Sequence, residues 1–289
     1  MKKSILIRAY IIGSMMLVGA AALFVVLFIA INGIGTISAN FLFTAPKEGG
    51  IFPAIIATLY LGGIAGITGL VCALPVSVAL SFFISNPRMR GLIHVLIHAL
   101  AAIPSIIIGL FGYTVFVKYM HLGKSLIAGG MTLGIMIFPF LEQRIEKAIG
   151  EIDEMLILSA YSAGLSKRYT VLQVVLPLIG SDIIRAAALY MSFAMGATAP
   201  IMLTAAVLVA PVPTQLTDPV MALPYHLYLL ANEGIDMQAA YATALVLLAL
   251  VLCINAAAVC VHEKAAVGRF YSRRAGAQSG TQLNRNDTL

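Results

Sequence analysis

The sequence predicts an all-α membrane protein that crosses the bilayer six times. Hydrophobic residues make up 61% of its 289 positions and charged residues 10%, against about 25% charged in a soluble domain. The apolar blocks are long enough to span, which takes about 20 helical residues each. Basic residues collect at one side of those blocks, as topology rules demand of a multi-pass chain. Every gap between blocks is short, which leaves no room for a soluble domain.

Taken in order, the chain opens with Lys2, Lys3 and Arg8 before an apolar run. At about 20 residues the run exceeds a signal-peptide core, so it reads as a retained first span, 10–31. A glycine-rich outer loop, 32–50, follows. The second block, 53–84, carries Gly62, Gly63, Gly66, Gly69 and Pro75; it should pack closely on neighbours and bend near the proline. Asn86-Pro87 marks a turn. The third block, 91–117, has a kinkable centre at Ala102-Ile103-Pro104-Ser105, and the fourth covers 125–148. In the fifth, 177–210, Gly196-Ala197-Thr198-Ala199-Pro200 should break the helix near the membrane midplane. A proline-rich outer loop follows, in which the segment from Leu223 to Leu230 lies in the interface or dips into the bilayer. The sixth block is 238–261, and the polar tail after Arg274 reads as disordered.

The side of each loop follows from charge. The N-terminus, the 85–90 loop, the 142–173 segment and the tail hold fourteen basic residues: Lys2, Lys3, Arg8, Arg88, Arg90, Arg144, Lys147, Lys167, Arg168, Lys264, Arg269, Arg273, Arg274 and Arg285. The opposite loops hold three, Lys47, Lys118 and Lys124. Both termini and the 142–173 segment are therefore expected in the cytoplasm. The same placement assigns the excess of 18 Lys and Arg over 12 Asp and Glu to the membrane interface, with lipid as partner and no nucleic acid.

The stretch from Glu151 to Pro177 mixes both charge signs with an amphipathic pattern. As a helix it aligns Ile152, Met155, Leu156, Ser159 and Ala163 on one face. Glu151, Asp153 and Glu154 suit its first turn, where they meet the positive end of the dipole, and Gly164 suits its stop. A second short helix is expected over 169–175, with Pro177 opening the next block. The small run Ala160, Ser162, Ala163 and Gly164 would let a partner's backbone approach. The segment reads as a docking knob.

Other motifs admit two readings. Gly123-Lys124-Ser125 spells the end of a phosphate-binding loop, but the required first glycine is Lys118 and no strand precedes it. Any nucleotide dependence must then come from a partner. His94 and His98 share a helical face, as a proton relay or metal pair would, yet no third ligand is visible and the interface tolerates a polar tip. Asp182 and Arg185 are spaced for an intrahelical ion pair. Arg185 lies roughly 12 Å along its helix from Pro177, as a pathway residue or a snorkelling one. Asp218, Glu233 and Asp236 belong to a solvated outer loop or to a contact with a delivery protein. Cys72, Cys253 and Cys260 have no paired or metal-ligand spacing and read as buried and reduced.

Leu158-Ser159-Ala160, Gly164 and Val174-Val175-Leu176-Pro177 resemble, at matching spacings, the cytoplasmic loop signature of ABC importer permeases. That signature begins Glu-Ala-Ala, and here Leu158 replaces the glutamate. The likeness narrows to the PstA-type permease of phosphate importers and covers about residues 49 to 262. It rests on Gly49-Gly50-Ile51-Phe52-Pro53-Ala54-Ile55, Ile103-Pro104-Ser105-Ile106, Gly109-Leu110-Phe111-Gly112, Gly196 with Thr198-Ala199-Pro200, and Met221-Ala222-Leu223-Pro224-Tyr225-His226. One departure stands out. The family's fifth-span motif is Arg-Ala-x-Gly-Glu-Thr-Ala-Pro, whereas this chain has Phe193-Ala194-Met195-Gly196-Ala197-Thr198-Ala199-Pro200. Both charges are gone together.

The resemblance implies a type I ABC importer permease fold with a cytoplasmic coupling helix, in a bacterial-type inner membrane. It divides the chain into 1–48 (first span and outer loop), a permease core 49–262 containing the coupling segment 151–174, and the tail 263–289. It implies a second permease subunit, ATP-binding subunits and an extracytoplasmic substrate-binding protein as partners. No chemistry, cofactor or metal is expected in this chain. Leu158, Ser159, Ala160, Gly164, Leu176 and Pro177 would dock the ATPase. Ser192, Phe193, Gly196, Ala197, Thr198, Pro200 and Arg185 would line the substrate pathway, for phosphate or a related oxyanion. Two rivals remain at this stage: an ion-coupled secondary carrier, which needs intramembrane acidic residues, and a non-transporting membrane scaffold, which would explain the lost Arg and Glu.

Overall fold

The structure, a computed structural model, describes residues 2–46 and 49–260. The expected tail, with its basic residues, lies outside them. Twelve helices make up the described chain: α1 (Lys2–Gly33), α2 (Ala39–Phe43), α3 (Phe52–Val78), α4 (Pro87–Ala101), α5 (Ser105–Gly112), α6 (Leu126–Gly150), α7 (Glu154–Ser162), α8 (Lys167–Thr170), α9 (Leu176–Met195), α10 (Ala199–Thr204), α11 (Leu223–Asn232) and α12 (Met237–Cys260).

The core forms around α6, which α3, α5, α9 and α10 surround. Lipid is as apolar as leucine, so association in a membrane relies on small residues that let backbones close in. This chain does so where α3 meets α6 and α9 and where α5 meets α6 and α10. A Cβ on Gly134 of α6 would meet Thr68 Cβ of α3 at 2.6 Å, and one on Gly69 of α3 would meet Leu141 Cδ1 of α6 at 2.8 Å. Gly62 sits on the Met195 side chain of α9. The buried hydroxyls are satisfied locally: Thr132 donates to the Ala128 carbonyl at 2.7 Å and Thr204 to the Pro200 carbonyl at 2.7 Å, as they must where no water can serve. By contrast the described side chains of α1 are nearly all exposed, and the helix meets the molecule near its end. There Phe28 packs edge-on against Tyr241 of α12 at 5.7 Å, and Gly33 lies against the Tyr241 backbone.

Five helices are long and apolar enough to cross a membrane, and a bent pair, α4 with α5, makes the sixth crossing. Where the sequence suggests a kink in one span over 91–117, the chain instead turns through 96° at residues 102–104. The pair still traverses. Arg90 Nη2 of α4 donates to Glu146 near one end of α6 at 2.9 Å, while the chain beyond α5 reaches Ser125, which caps the other end of α6. We refer to the end carrying Arg88, Arg90, Arg144, Lys147, Lys167 and Arg168 as the basic end.

Four further expectations are corrected. The short helix expected over 169–175 is not separate: α8, a π-helical segment Val171–Val175 and α9 form one helix, Lys167–Met195. The wider π turn absorbs Pro177, whose ring and missing N–H would break an α-helix. The fifth block does not stay helical to 210: α10 ends at Thr204, and the next stretch is extended, with Val207 donating to Val220 and Val220 to Ala205. Asp182 pairs across helices with Arg144 of α6 at 3.7 Å, rather than along its own helix with Arg185. All three cysteines are free but exposed rather than buried, on spanning helices whose outer faces lipid covers.

Candidate functional site

At the basic end, α6 gives way to α7 through a sharp turn. The Asp153 side chain accepts from the Met155 amide at 2.9 Å and so caps α7. The helix stops at Gly164, whose φ of +81° is open to glycine at no cost. The Leu165 amide donates to the Ala160 carbonyl at 3.1 Å and the Gly164 amide to the Tyr161 carbonyl at 2.9 Å. That bond pair closes a helix in the Schellman manner. A nine-residue helix is thus fixed at both ends with few contacts along its length.

Its outward surface is apolar. Met155 is 66% exposed and Leu158 49%; Ser159 and Gly164 are exposed and Ala160 is half-buried. Ile152, expected on the outer face, packs on the core instead. The adjoining α8 and π segment add Tyr169 and Leu172, also exposed. Neither stands out in the sequence, because each gains its place only when Lys167–Met195 runs as one helix. Leu176 packs against the core, away from this surface, and Pro177 is exposed one residue on.

The second feature is a cavity of about 680 Å³ at the break between α9 and α10. Ser192, Phe193, Gly196, Ala197 and Thr198 all line it, with Ser105 from the α4–α5 break and Leu247 and Val251 from α12. Its polar side chains among the described residues are the hydroxyls of Ser105, Ser192 and Thr198. Pro200 stands apart: it is buried against Gly109 of α5, where an added Cβ would meet Pro200 Cα at 2.8 Å. Arg185 is exposed on α9, about two turns toward the basic end from Ser192.

Both helix breaks therefore open on one space. Met195 contacts Gly62, about three turns into α3 from Phe52, so the α9–α10 break sits in the half of the molecule remote from the basic end rather than at its middle.

At that remote end Asp218 and Asp236 have local partners. Asp218 accepts from the Thr214 and Gln215 amides, both at 2.8 Å, and Asp236 caps α12 through the Ala239 amide at 2.9 Å. Ser125 accepts from Ala128, and Lys124 Nζ lies 3.2 Å from the Ala206 carbonyl; Gly123-Lys124-Ser125 thus serves as a helix cap and loop tether. The amides holding Asp218 lower its carboxyl below the ordinary value of 3.8. A lowered acid stabilises the fold above its unfolded value and stops doing so as pH falls through the folded one. Amide exchange at Thr214 and Gln215 is expected to accelerate as pH drops below 3.8, and in Asp218→Asn to be fast and independent of pH after correction for intrinsic exchange.

His94 and His98 do not stand alone. His94 Nε2 is 3.5 Å from the Glu146 carboxylate that also holds Arg90. Among the described residues no three His, Cys, Asp or Glu side chains are grouped to hold a metal ion. Glu146 lies more than 50 positions from His94, so spacing could not reveal the contact.

Residues 65–266 match the family model described as the binding-protein-dependent transport system inner membrane component. The chain is 28% identical over 251 residues to a probable phosphate transport system permease protein PstA of Methanocaldococcus jannaschii, covering 85% of this chain and 89% of that one. It is 31% identical over 187 residues to phosphate transport system permease protein PstA 2 of Mycobacterium bovis, covering 64% and 62%. A PstA homolog of Mycoplasma genitalium is 30% identical over 190 residues, but the match spans 62% of this chain and only 29% of that longer protein. The fold is similar to a chain of the inward-facing MetNI methionine ABC transporter, with TM-score 0.66 at 20% identity over 77% and 99% of the two chains. It is also similar to a chain of a bacterial alginate ABC transporter, with TM-score 0.64 at 16% identity over 87% and 93%. With six crossings around α6 and a family match over most of its length, the chain belongs to the inner-membrane components of binding-protein-dependent transport systems, with a type I ABC importer permease fold.

Proposed function

We propose that the chain is the permease subunit of an ATP-driven importer for phosphate or a related oxyanion, working with a second permease, ATP-binding subunits and an extracytoplasmic binding protein. The observation that carries the reading is the continuity of Lys167–Met195. One unbroken helix joins the exposed apolar surface around α7 to the cavity at the α9–α10 break. The basic end is then cytoplasmic, the ATPase seats on Leu158, Ser159, Ala160 and Gly164 with Met155, Tyr169 and Leu172, and its closure tilts α9 beside the cavity. The names of the relatives support phosphate as the cargo. Residues 49–262 form the transporting core, and hydrolysis belongs to the partner.

The test is ATP-dependent uptake of radiolabelled phosphate by the full complex in liposomes, with sulfate and molybdate as competitors. ATP-dependent uptake of labelled molybdate in place of phosphate would remove phosphate and keep the importer. ATPase that never copurifies would remove the importer.

Arg185 gives the pathway a separate handle. Arg185, Leu189, Ser192 and Gly196 follow one stripe of α9, and the first two are exposed. On this reading the cation meets the anion on its way out of the hydroxyl-lined cavity. Arg185→Gln is expected to cut uptake at least tenfold while the complex still assembles, with Arg185→Lys in between. A side chain that merely snorkels would leave uptake unchanged in both variants.

The neutral lining of the cavity favours one alternative, a scaffold that transports nothing. Uptake at any level above the protein-free control excludes it.

A further inference from the structure

The most buried acid in the described chain is Glu142 of α6, with no exposed surface. Neither of its carboxylate oxygens has a hydrogen-bond partner. The Ser77 hydroxyl, the polar side chain next to the carboxyl, lies 3.0 Å from both the Ala73 and the Glu142 backbone carbonyls. A carboxyl group kept from water without a partner is costly in any protein and more so in a membrane. Nothing in the docking surface or the cavity uses it.

Its surroundings suggest what does. Glu142 and Glu146 are four residues apart, one turn along the same face of α6. Glu146 is the occupied member: it holds Arg90 at 2.9 Å and His94 at 3.5 Å, both from α4. Beside it lies an open cavity of about 630 Å³, walled by Ser81, Arg90, His94 and His98 on one side and by Gln143, Glu146 and Lys147 of α6 on the other. Glu154 and Ile157 of α7 close its end. The α4 helix packs on the rest of the described chain mainly through α6. Its outer side chains Met89, Leu92, Val95 and Leu96 are all more than half exposed, and it joins α5 through the 96° turn at 102–104.

We propose that Glu142 is the second seat of an ion-pair exchange: in the other limb of the cycle α4 advances along α6 by one turn, and its Arg90–His94 cations leave Glu146 for Glu142. The step is about 5.4 Å, the pitch of a helix and a known size for such ratchets. Two seats one turn apart make α4 two-positioned rather than loosely mobile. The move carries the Arg90 and His94 wall of the cavity away from its α7 end and so reshapes it, and because α7 forms part of the same wall, the position of α4 is tied to the docking surface. The inference rests on the importer reading, since it assigns the second position to the ATP-bound limb.

The experiment uses the whole transporter in nanodiscs with Cys72, Cys253 and Cys260 replaced by alanine and one cysteine introduced by Ser81→Cys on the cavity wall. The rate of its labelling by a membrane-impermeant maleimide is compared without nucleotide and after trapping with ATP and vanadate. With Glu142 in place, trapping is expected to change the labelling rate at least tenfold as the cavity wall moves. In Glu142→Gln the two rates should agree within twofold and uptake should fall at least tenfold, while the ATPase still copurifies. Glu142→Asp, which keeps the charge on a shorter stem, should recover part of both signals and guards against a variant that merely misfolds. Equal rates with Glu142 in place, or Glu142→Gln behaving like the parent, would overturn the exchange and make Glu142 a tolerated neutral acid. Both results leave the importer standing. That reading is lost by a different observation, failure of the ATPase to copurify with the unsubstituted chain, and the exchange is lost with it.

Discussion

Leu158→Asp and Met155→Asp are each expected to strip the ATPase from the purified complex and abolish uptake. Both side chains stand in solvent, 49% and 66% exposed, so a carboxylate at either position costs the isolated chain almost nothing. Against a partner's groove the charge must be desolvated without a counter-ion. Central interface residues of this kind are worth about 2–4 kcal/mol, or about 30- to 1000-fold in affinity. Gly164→Val should reach the same end by another route. A β-branched residue at φ +81° adds about 1–2 kcal/mol of left-handed strain and loosens the two bonds that close α7. Quantitative pull-down beside uptake separates these from general damage. An ATPase retained at the parental ratio in all three variants would mean that docking happens elsewhere.

Gly134→Leu should cause the largest loss of folded protein. The site lies where α3 and α6 pack directly, and even the first added carbon would sit 2.6 Å from Thr68 Cβ and 3.2 Å from the Ala65 carbonyl. The carbonyl belongs to a helix backbone and cannot yield. Overpacking costs about 1–3 kcal/mol where neighbours can shift, and more here because α6 also carries α5, α9 and α10. Gly134→Ala should lower the midpoint of thermal unfolding in detergent, and adding Thr68→Ala should recover part of the loss. A Gly134→Leu protein that elutes as a sharp peak with an unchanged midpoint would show that the two helices part more readily than the contact implies.

The membrane crossings could be read from the chain because block length and loop charge are local properties. The turn between α4 and α5 could be read only in part. Pro104 announces a kink, but the angle depends on Gly109 against Pro200 and Gly112 against Thr132, contacts between distant parts of the sequence. Pro177 was legible as a first-turn residue of α9, but nothing nearby reveals that a π turn joins α9 to the helix before it. The ion pairs Arg144–Asp182 and Arg90–Glu146 join separate helices, whereas sequence spacing exposes only pairs along one helix. The exposed cysteines follow from a solvent that the composition implies but does not orient. Of the cavity's lining, Gly196 to Thr198 were legible as a helix break. Ser105 was legible only as part of a kink, and the α12 wall not at all.

The unbroken helix from Lys167 to Met195 also has a mechanical meaning. Its 29 residues make a rod about 43 Å long. A tilt of about 5° at one end sweeps the other through about 4 Å, taking the rod length from its rise per residue. Stiffness then matters more than contact strength: a second proline midway along the rod would leave both ends intact and disconnect them.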